Sequence, residues 1–221
     1  MLRGLFVTGT DTGVGKTVAA AALVHRWRSR FPVRYWKPIQ TGIEQDDDTA
    51  EVARLAACSA HEILAAGVRL ERPVSPHLAA RLAGKPIDID ALAALVNAEP
   101  GSTRWMVEGA GGVLVPVGEK ANMTDLIARL GLPAVVVARS TLGTINHTLL
   151  TIEALRRRAI QVAGVIMVGV PNPDNREAVE RYGRIEVLGD MPRFESLNAE
   201  GLAAWAASHL DKDGRLAPLL T

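Results

Sequence analysis

The sequence contains little of what marks several common classes of protein. Its single cysteine, Cys58, excludes an intramolecular disulfide and is expected to be a small core residue. Aromatic residues form only 4% of the 221 residues, and the formal net charge is +1. A nearly neutral chain lacks the strongly basic surface of nucleic-acid-binding proteins, so we expect no nucleic-acid partner. The densest basic run, Arg156, Arg157 and Arg158, is predicted to be a solvated helix end.

Long hydrophobic runs are also missing from the sequence. No stretch reaches the ~18 uninterrupted apolar residues of a membrane span, and the first residues do not resemble a signal peptide. We therefore expect a cytoplasmic protein with no membrane partner. The hydrophobic content of 48% is rich in alanine, valine and leucine, which suits helices packed on a sheet. The length is within reach of one large domain, and we expect a single domain over residues 1–221.

Short apolar runs alternate with helical patterns along the chain. This alternation predicts an α/β fold in which a parallel β-sheet is sandwiched by helices. The predicted strands cover residues 5–8, 33–36, 105–108, 134–138, 162–168 and 185–189. The predicted helices cover residues 15–30, 48–58, 144–158 and 202–210, and further helices start after Ser75 and at Asn172. Residues 60–100 show no clear central strand and are predicted to form a helical insertion.

A glycine-rich segment, GTDTGVGKT at residues 9–17, joins the first predicted strand to the first helix. The phosphate-loop pattern G-x-x-x-x-G-K-[ST] requires glycine at position 10, but Thr10 stands there and the glycine is one place earlier. The order of strand, glycine turn, Gly-Lys-Thr and helix still predicts nucleotide binding. The expected phosphate-binding residues are Gly13, Val14, Gly15, Lys16, Thr17 and Val18. The alternative, an ordinary helix cap, would leave Lys16 opposing the helix dipole.

Charged residues follow other predicted strands at the edge of the sheet where ligands bind in such folds. Glu108, in VEGAGG, resembles the carboxylate of a Walker B motif, and Asp48 is a second acidic candidate. Asp48 also has the capping-box spacing to Glu51, and both roles are compatible because one oxygen can cap while the other faces a metal. We expect Thr17, Asp48 and Glu108 to hold Mg²⁺.

Lys37, in KPIQTG, lies at the same predicted edge. A surface lysine is a common alternative there, but the polar turn at Thr41 and Gly42 favours a functional role. The glycines of the EGAGG turn permit close approach to phosphates, and the expected nucleotide contacts in it are Gly109, Ala110 and Gly111.

Six segments together resemble the dethiobiotin synthetase family, the ATP-dependent carboxylases of biotin biosynthesis. They are FVTGTDTGVGKT, KPIQTG, DDDTAEVARL, SPHLAA, VEGAGGVLVP and LGTINHTLLTIEAL, in the family's order over about residues 5–158. The loop of that family has its glycine one place early, which accounts for Gly9.

The resemblance implies a P-loop NTPase-like fold and a cyclo-ligase. Its substrates would be 7,8-diaminopelargonate, CO₂ and ATP, with Mg²⁺ as cofactor. One amine captures CO₂ as a carbamate, which attacks the γ-phosphate to give a carbamic–phosphoric anhydride, and the second amine then closes the ring. The family acts as a homodimer with the diamine near the interface.

The resemblance also assigns roles to residues. Lys16, Lys37 and Thr12 would be catalytic, and the substrate contacts would be Thr12, Lys37, Thr41, Leu142, Gly143 and Asn146. The base would lie near Val168, Gly169, Pro192, Arg193 and Phe194. Some family members have an asparagine–aspartate pair in place of Val168–Gly169, so base selectivity here would depend on backbone contacts. Some carry glutamate in place of Gly13.

Two other readings compete with the ligase. A partition-type switch ATPase would carry a signature lysine where this chain has Asp11. A small-molecule kinase would have an arginine-rich lid, whereas residues 60–100 contain only Arg69, Arg72 and Arg81. His77 and His147 are expected to be structural hydrogen-bonding residues.

Overall fold

The computed structural model describes residues 2–98 and 101–221. Within them, seven parallel strands form one sheet in the order β4-β2-β6-β1-β7-β8-β9. Their bounds are Gly4–Gly9 (β1), Val33–Trp36 (β2), Ile63–Leu64 (β4), Arg104–Gly112 (β6), Ala134–Arg139 (β7), Val162–Val168 (β8) and Val187–Met191 (β9). The apolar runs of the inner strands are buried on both faces, as the near-continuous hydrophobicity of parallel strands requires. The predicted sheet is confirmed.

Helices cover both faces of this sheet. The first face carries α1 (Lys16–Trp27), α2 (Asp48–Leu55), α8 (Ala199–His209) and α9 (Ala217–Leu220), and the second carries α4 (Ile89–Asn97), α5 (Met123–Leu130), α6 (Thr144–Arg157) and α7 (Pro173–Gly183). Side chains of β1 alternate between the two layers, since Leu5 and Val7 pack with α1 while Phe6 packs on the opposite side. No helix among the described residues is both long and apolar enough to span a membrane.

A second, two-stranded parallel sheet pairs β3 (Ile39–Thr41) with β5 (Val68–Leu70), and α3 (Pro76–Ala83) packs on it. The prediction of a helical insertion at residues 60–100 is therefore only partly right, and residues 99 and 100 of it lie outside the described residues. The segment holds a 3-10 turn (Ala60–Glu62), α3 and α4, but it also holds β4, at the edge of the main sheet, and β5. Strands of two or three residues are too short to show a period in the sequence.

Several predicted boundaries also shift. β6 continues past Glu108 to Gly112, so Glu108 lies within the strand. The basic run is an exposed helix end, as predicted. Two of its arginines also reach neighbouring elements: Arg156 donates to the Gly183 and Arg184 carbonyls, and Arg158 pairs with Asp125. Long side chains at a helix end can reach neighbouring elements, which the sequence does not reveal. Cys58 is half-buried and packs against the core.

Candidate active site

The phosphate loop follows β1, and its geometry explains the position of the first glycine. A Cβ added to Gly9 would lie 2.7 Å from the Val14 Cγ2 atom and 3.2 Å from the Lys16 Cδ atom. The loop therefore folds back on residue 9, and only glycine leaves room for Val14. Gly15 precedes α1 with φ 101°, a backbone conformation that glycine adopts without strain.

The N-terminus of α1 has the properties of an anion site. No side chain among the described residues caps it, and its first turn contains no acidic residue, so its first N–H groups can bind an anion. Lys16 is buried, and its Nζ donates to the Asp11 carbonyl at 2.9 Å across the loop. Burial, and then repulsion from Lys37, lowers the pKa of Lys16 from 10.5 to about 8. A phosphate group would stabilise the charged form of this lysine.

Three predicted metal ligands meet beside the loop. The Thr17 hydroxyl lies 2.8 Å from Asp48 Oδ1 and 3.1 Å from Glu108 Oε1. One hydroxyl carries a single proton, so it can donate to only one of these carboxylates at a time. Glu108 is fully buried, and Asp48 is partly exposed towards the cavity.

The expected N-cap at Asp48 is wrong by one residue. Asp47 caps α2, and its Oδ1 accepts from Thr49 N at 2.9 Å and Ala50 N at 3.1 Å. A run of three aspartates does not fix which of them takes the extended conformation of a cap, and here it is residue 47. Asp48 consequently directs both of its oxygens to the site: Oδ1 to Thr17 and Oδ2 to Lys37.

Lys37 is a buried member of this cluster. Its Nζ lies 2.6 Å from Asp48 Oδ2, 2.8 Å from Glu108 Oε1 and 3.0 Å from the Gly109 carbonyl. Burial alone would lower the pKa of Lys37, but the two carboxylates outweigh that effect and raise it. The same pairing lowers the pKa of Asp48 against the opposing effect of burial. The alternative of an ordinary surface lysine is wrong.

Two residues that support this cluster were not predicted. The buried Tyr35 hydroxyl donates to Glu108 Oε2 at 2.8 Å, and burial, followed by the Glu108 charge, raises the tyrosine pKa well above 10. The only signal in the sequence is a tyrosine in an otherwise buried strand, which needs a hydrogen-bond partner. Arg69 donates to the Lys37 carbonyl at 2.9 Å and to the Ala65 carbonyl at 3.0 Å. It thereby holds the β2–β3 connection rather than facing a ligand.

A cavity of about 630 Å³ opens over the cluster. The predicted residues that line it are Thr12, Gly13, Gly15, Lys16, Thr17, Val18, Lys37, Thr41, Asp48, Glu108, Ala110 and Gly111. The Thr12 hydroxyl lies 3.7 Å from where a Cβ on Gly111 would stand, so the loop and the EGAGG turn are in close contact. Val14 is buried beneath the loop, and Gly109 faces Lys37 with its carbonyl oxygen.

The remaining predicted contacts lie outside this cavity. Leu142, Gly143 and Asn146 are exposed around the start of α6. Val168 ends β8 against the loop, because its Cγ1 lies 3.3 Å from where a Cβ on Gly15 would be. Gly169 follows it, and Pro192, Arg193 and Phe194 follow β9. Their roles in substrate or base binding stay predictions. Among the two histidines, His77 Nδ1 hydrogen-bonds the Ser75 hydroxyl at 3.1 Å, while His147 is exposed.

The donor set fits Mg²⁺. Two carboxylates and a hydroxyl converge, and the Lys37 ammonium already supplies positive charge between the carboxylates. The described residues contain no group of three or more His, Cys, Asp or Glu side chains suited to a metal. An ion held here would therefore complete its ligands with water and phosphate oxygens, as Mg²⁺ does in nucleotide sites.

A parallel sheet whose first strand leads into this loop, with a buried carboxylate on the neighbouring strand, defines a P-loop nucleotide-binding protein. A family model described as an AAA domain matches residues 3–201. The fold is similar to that of the septum site-determining protein MinD of Pyrococcus horikoshii OT3, solved with Mg-ADP, at a TM-score of 0.59 and 14% identity over 93% of this chain and 95% of that one. A ParA family ATPase of Chlorobium tepidum TLS gives a TM-score of 0.55 at 10% identity, over 93% and 98% of the two chains. Identities this low show the fold alone.

Curated relatives are more specific. The ATP-dependent dethiobiotin synthetase of Paramagnetospirillum magneticum is 50% identical over 91% of this chain and 94% of its own length. That of Rhodopseudomonas palustris (strain HaA2) is 44% identical over 96% of each chain. The biotin biosynthesis bifunctional protein of Bordetella avium is 47% identical over 92% of this chain, which spans 42% of that longer protein. The chain belongs to the family of ATP-dependent dethiobiotin synthetases, and the predicted family is confirmed.

Proposed function

We propose that this chain is a ligase that converts 7,8-diaminopelargonate, CO₂ and ATP into dethiobiotin, ADP and phosphate. The observation that carries the proposal is Lys37, a buried ammonium bound to Asp48 and Glu108 on the wall of the same cavity as the phosphate loop. A lysine so placed supplies fixed positive charge beside the γ-phosphate position. Such charge suits a reaction whose intermediates carry negative charge on oxygen.

The reaction needs three steps. One amine of the substrate attacks CO₂ and loses a proton, which gives a carbamate. A carbamate oxygen then attacks the γ-phosphorus, ADP leaves, and a carbamic–phosphoric anhydride forms. The second amine attacks the carbonyl carbon, phosphate leaves with the bridging oxygen, and the amine loses its proton as the ring closes. No step requires a protein nucleophile, so positioning and charge stabilisation account for catalysis.

Seven polar or charged residues of the cavity have a place in this scheme. Lys16 and Lys37 stabilise the transferring phosphoryl group and the carbamate, and we assign the Thr12 hydroxyl, on the cavity wall, to binding the carbamate. Thr41 contacts the diamine. Thr17, Asp48 and Glu108 would hold Mg²⁺, which neutralises phosphate charge when bound.

The substrate carboxylate and the base require contacts beyond the cavity. We assign the carboxylate to the start of α6, at Leu142, Gly143 and Asn146, because the helix N-terminus favours an anion. Leu142 is fully exposed there, and a homodimer with the site near its interface would cover it. Size-exclusion chromatography with light scattering tests that dimer. We place the protein in the cytoplasm.

Base selectivity follows from Val168 and Gly169, which offer no side-chain hydrogen bonds. We expect GTP and CTP to support turnover alongside ATP. The test is a comparison of kcat/KM for the three nucleotides. Strict dependence on ATP would contradict this assignment.

The function is tested by incubating the chain with ATP, Mg²⁺, bicarbonate and diaminopelargonate and detecting dethiobiotin by mass. Wild type is expected to form it, with one ADP for each product molecule. The Thr41→Val variant keeps a similar side-chain volume and should raise KM for the diamine more than KM for ATP. ATP hydrolysis that proceeds equally without the diamine, and yields no dethiobiotin, would refute the proposal and favour a switch ATPase.

A further inference from the structure

Arg139 contacts the phosphate loop from a neighbouring strand. β7 pairs directly with β1, with Gly9 opposite Val137, so the end of β7 stands beside the start of the loop. Arg139 is the last residue of β7. Its Nη2 donates to the Thr12 carbonyl at 3.2 Å, and its Nη1 lies 3.7 Å from Asp11 Oδ2.

Side chains thereby hold both backbone polar groups of Thr12. The Thr12 N–H donates to Asp11 Oδ1 at 2.7 Å, while its carbonyl accepts from Arg139. Gly13 follows with φ 68°, and a Cβ there would meet nothing within 4 Å. The tip of the loop lacks packing on that side, so these polar contacts set the conformation of Thr12.

The Asp11–Arg139 pair contributes little to global stability. The side chains are 60% and 46% exposed, and exposed pairs are weakened by solvent and salt. The effect of the pair is local. It fixes the position of Thr12, whose hydroxyl lines the cavity and lies close to the EGAGG turn.

We propose that Arg139 is a positioning residue for the ligase reaction. It acts through Thr12, by holding the Thr12 carbonyl and the Asp11 carboxylate so that the Thr12 hydroxyl faces the carbamate. This inference rests on the proposed function.

The test compares Arg139→Gln and Arg139→Lys with a control, Arg157→Gln. Arg157 also forms an exposed ion pair, with Glu153 at 2.6 Å, but at the C-terminal end of α6. We expect Arg139→Gln to lower kcat about 10- to 100-fold, the size of a small misplacement at a reacting centre, with KM for ATP nearly unchanged. Lysine keeps the charge but not the two-pronged donor, so Arg139→Lys should be intermediate. The control should match wild type, and all three variants should keep the wild-type melting temperature within about 3 °C.

A double-mutant cycle with Thr12→Ala identifies the route of the effect. If Arg139 acts only through the Thr12 hydroxyl, Arg139→Gln should change kcat little once that hydroxyl is gone. The inference would be overturned if Arg139→Gln lowered kcat as much in the Thr12→Ala background as in wild type, or if it raised KM for ATP and left kcat unchanged. Either result would point to a direct contact between Arg139 and phosphate. Wild-type kinetics in Arg139→Gln would overturn it as well. If wild type itself forms no dethiobiotin, the proposed function fails and the inference fails with it.

Discussion

Replacing Lys37 by methionine removes the ammonium that separates two carboxylates while keeping most of the side-chain volume. Asp48 and the fully buried Glu108 would then face each other across the Thr17 hydroxyl. Breaking a buried ion pair from one side costs about 3–5 kcal/mol, and the partial exposure of Asp48 favours the lower end. A loss of about 3 kcal/mol corresponds to a fall of about 6–12 °C in melting temperature for a chain of this length.

The same variant should respond to Mg²⁺ more strongly than wild type. In wild type an ion must displace the Lys37 ammonium from Asp48 and Glu108. In Lys37→Met neither carboxylate is ion-paired with an ammonium, and only the weaker electrostatic attraction of Lys16 competes with the ion. At 100 times its dissociation constant, Mg²⁺ would restore about 2.7 kcal/mol. Thermal unfolding with and without Mg²⁺, in the absence of nucleotide, measures this difference.

Two further variants control the Lys37 experiment. Lys85→Met alters an exposed lysine and should leave both the melting temperature and its Mg²⁺ dependence unchanged. Glu108→Gln added to Lys37→Met removes one negative charge, so it should recover stability and abolish the Mg²⁺ response. A Lys37→Met protein as stable as wild type, or one that ignores Mg²⁺, would refute the account of Lys37 as the cation that balances the metal ligands.

Three other perturbations test separate parts of the site. Tyr35→Phe leaves Glu108 Oε2 without its hydrogen-bond donor. We expect the free energy of unfolding, measured in urea, to fall by about 2 kcal/mol and activation by Mg²⁺ to weaken. Unchanged values for both would contradict the role of the tyrosine. Because the pKa of Lys16 is lowered to about 8, this lysine loses its proton as the pH rises through that value. The affinity for MgADP, measured by calorimetry, should therefore be constant near neutral pH and fall above pH 8. An affinity that stays constant up to pH 9.5 would show that the lysine remains charged. Gly9→Ala places a Cβ 2.7 Å from Val14 and should weaken nucleotide binding. The control, Gly118→Ala, has open space around the new Cβ and should bind nucleotide as wild type does. Equal binding by both variants would refute the explanation that Gly9 is needed because Val14 packs against it.

The sequence predicted the central strands because each is a short, nearly continuous apolar run, as strands buried on both faces require. It did not predict β3, β4 and β5, because two or three residues carry no measurable period. The run of aspartates likewise left open which residue caps α2, since that choice depends on backbone angles.

The sequence indicates which residues form the site, but it does not show which of them are in contact. Glu108 lies within a strand and Lys37 directly follows one, while Asp48 begins the helix α2. Parallel strands bring such positions to one edge of the sheet. That Lys37 bridges both carboxylates, that Tyr35 holds Glu108, and that Arg139 reaches the loop all depend on packing between residues far apart in the chain. Local patterns contain no information on those distances.

In the proposed reaction a carbamate oxygen attacks the γ-phosphate of ATP. A single turnover tests this step, with diaminopelargonate, ATP, Mg²⁺ and freshly dissolved bicarbonate labelled with oxygen-18, followed by mass analysis of the released phosphate. We expect one labelled oxygen in each phosphate, because the bridging oxygen leaves with phosphorus when the ring closes. Dethiobiotin formed together with unlabelled phosphate would contradict it.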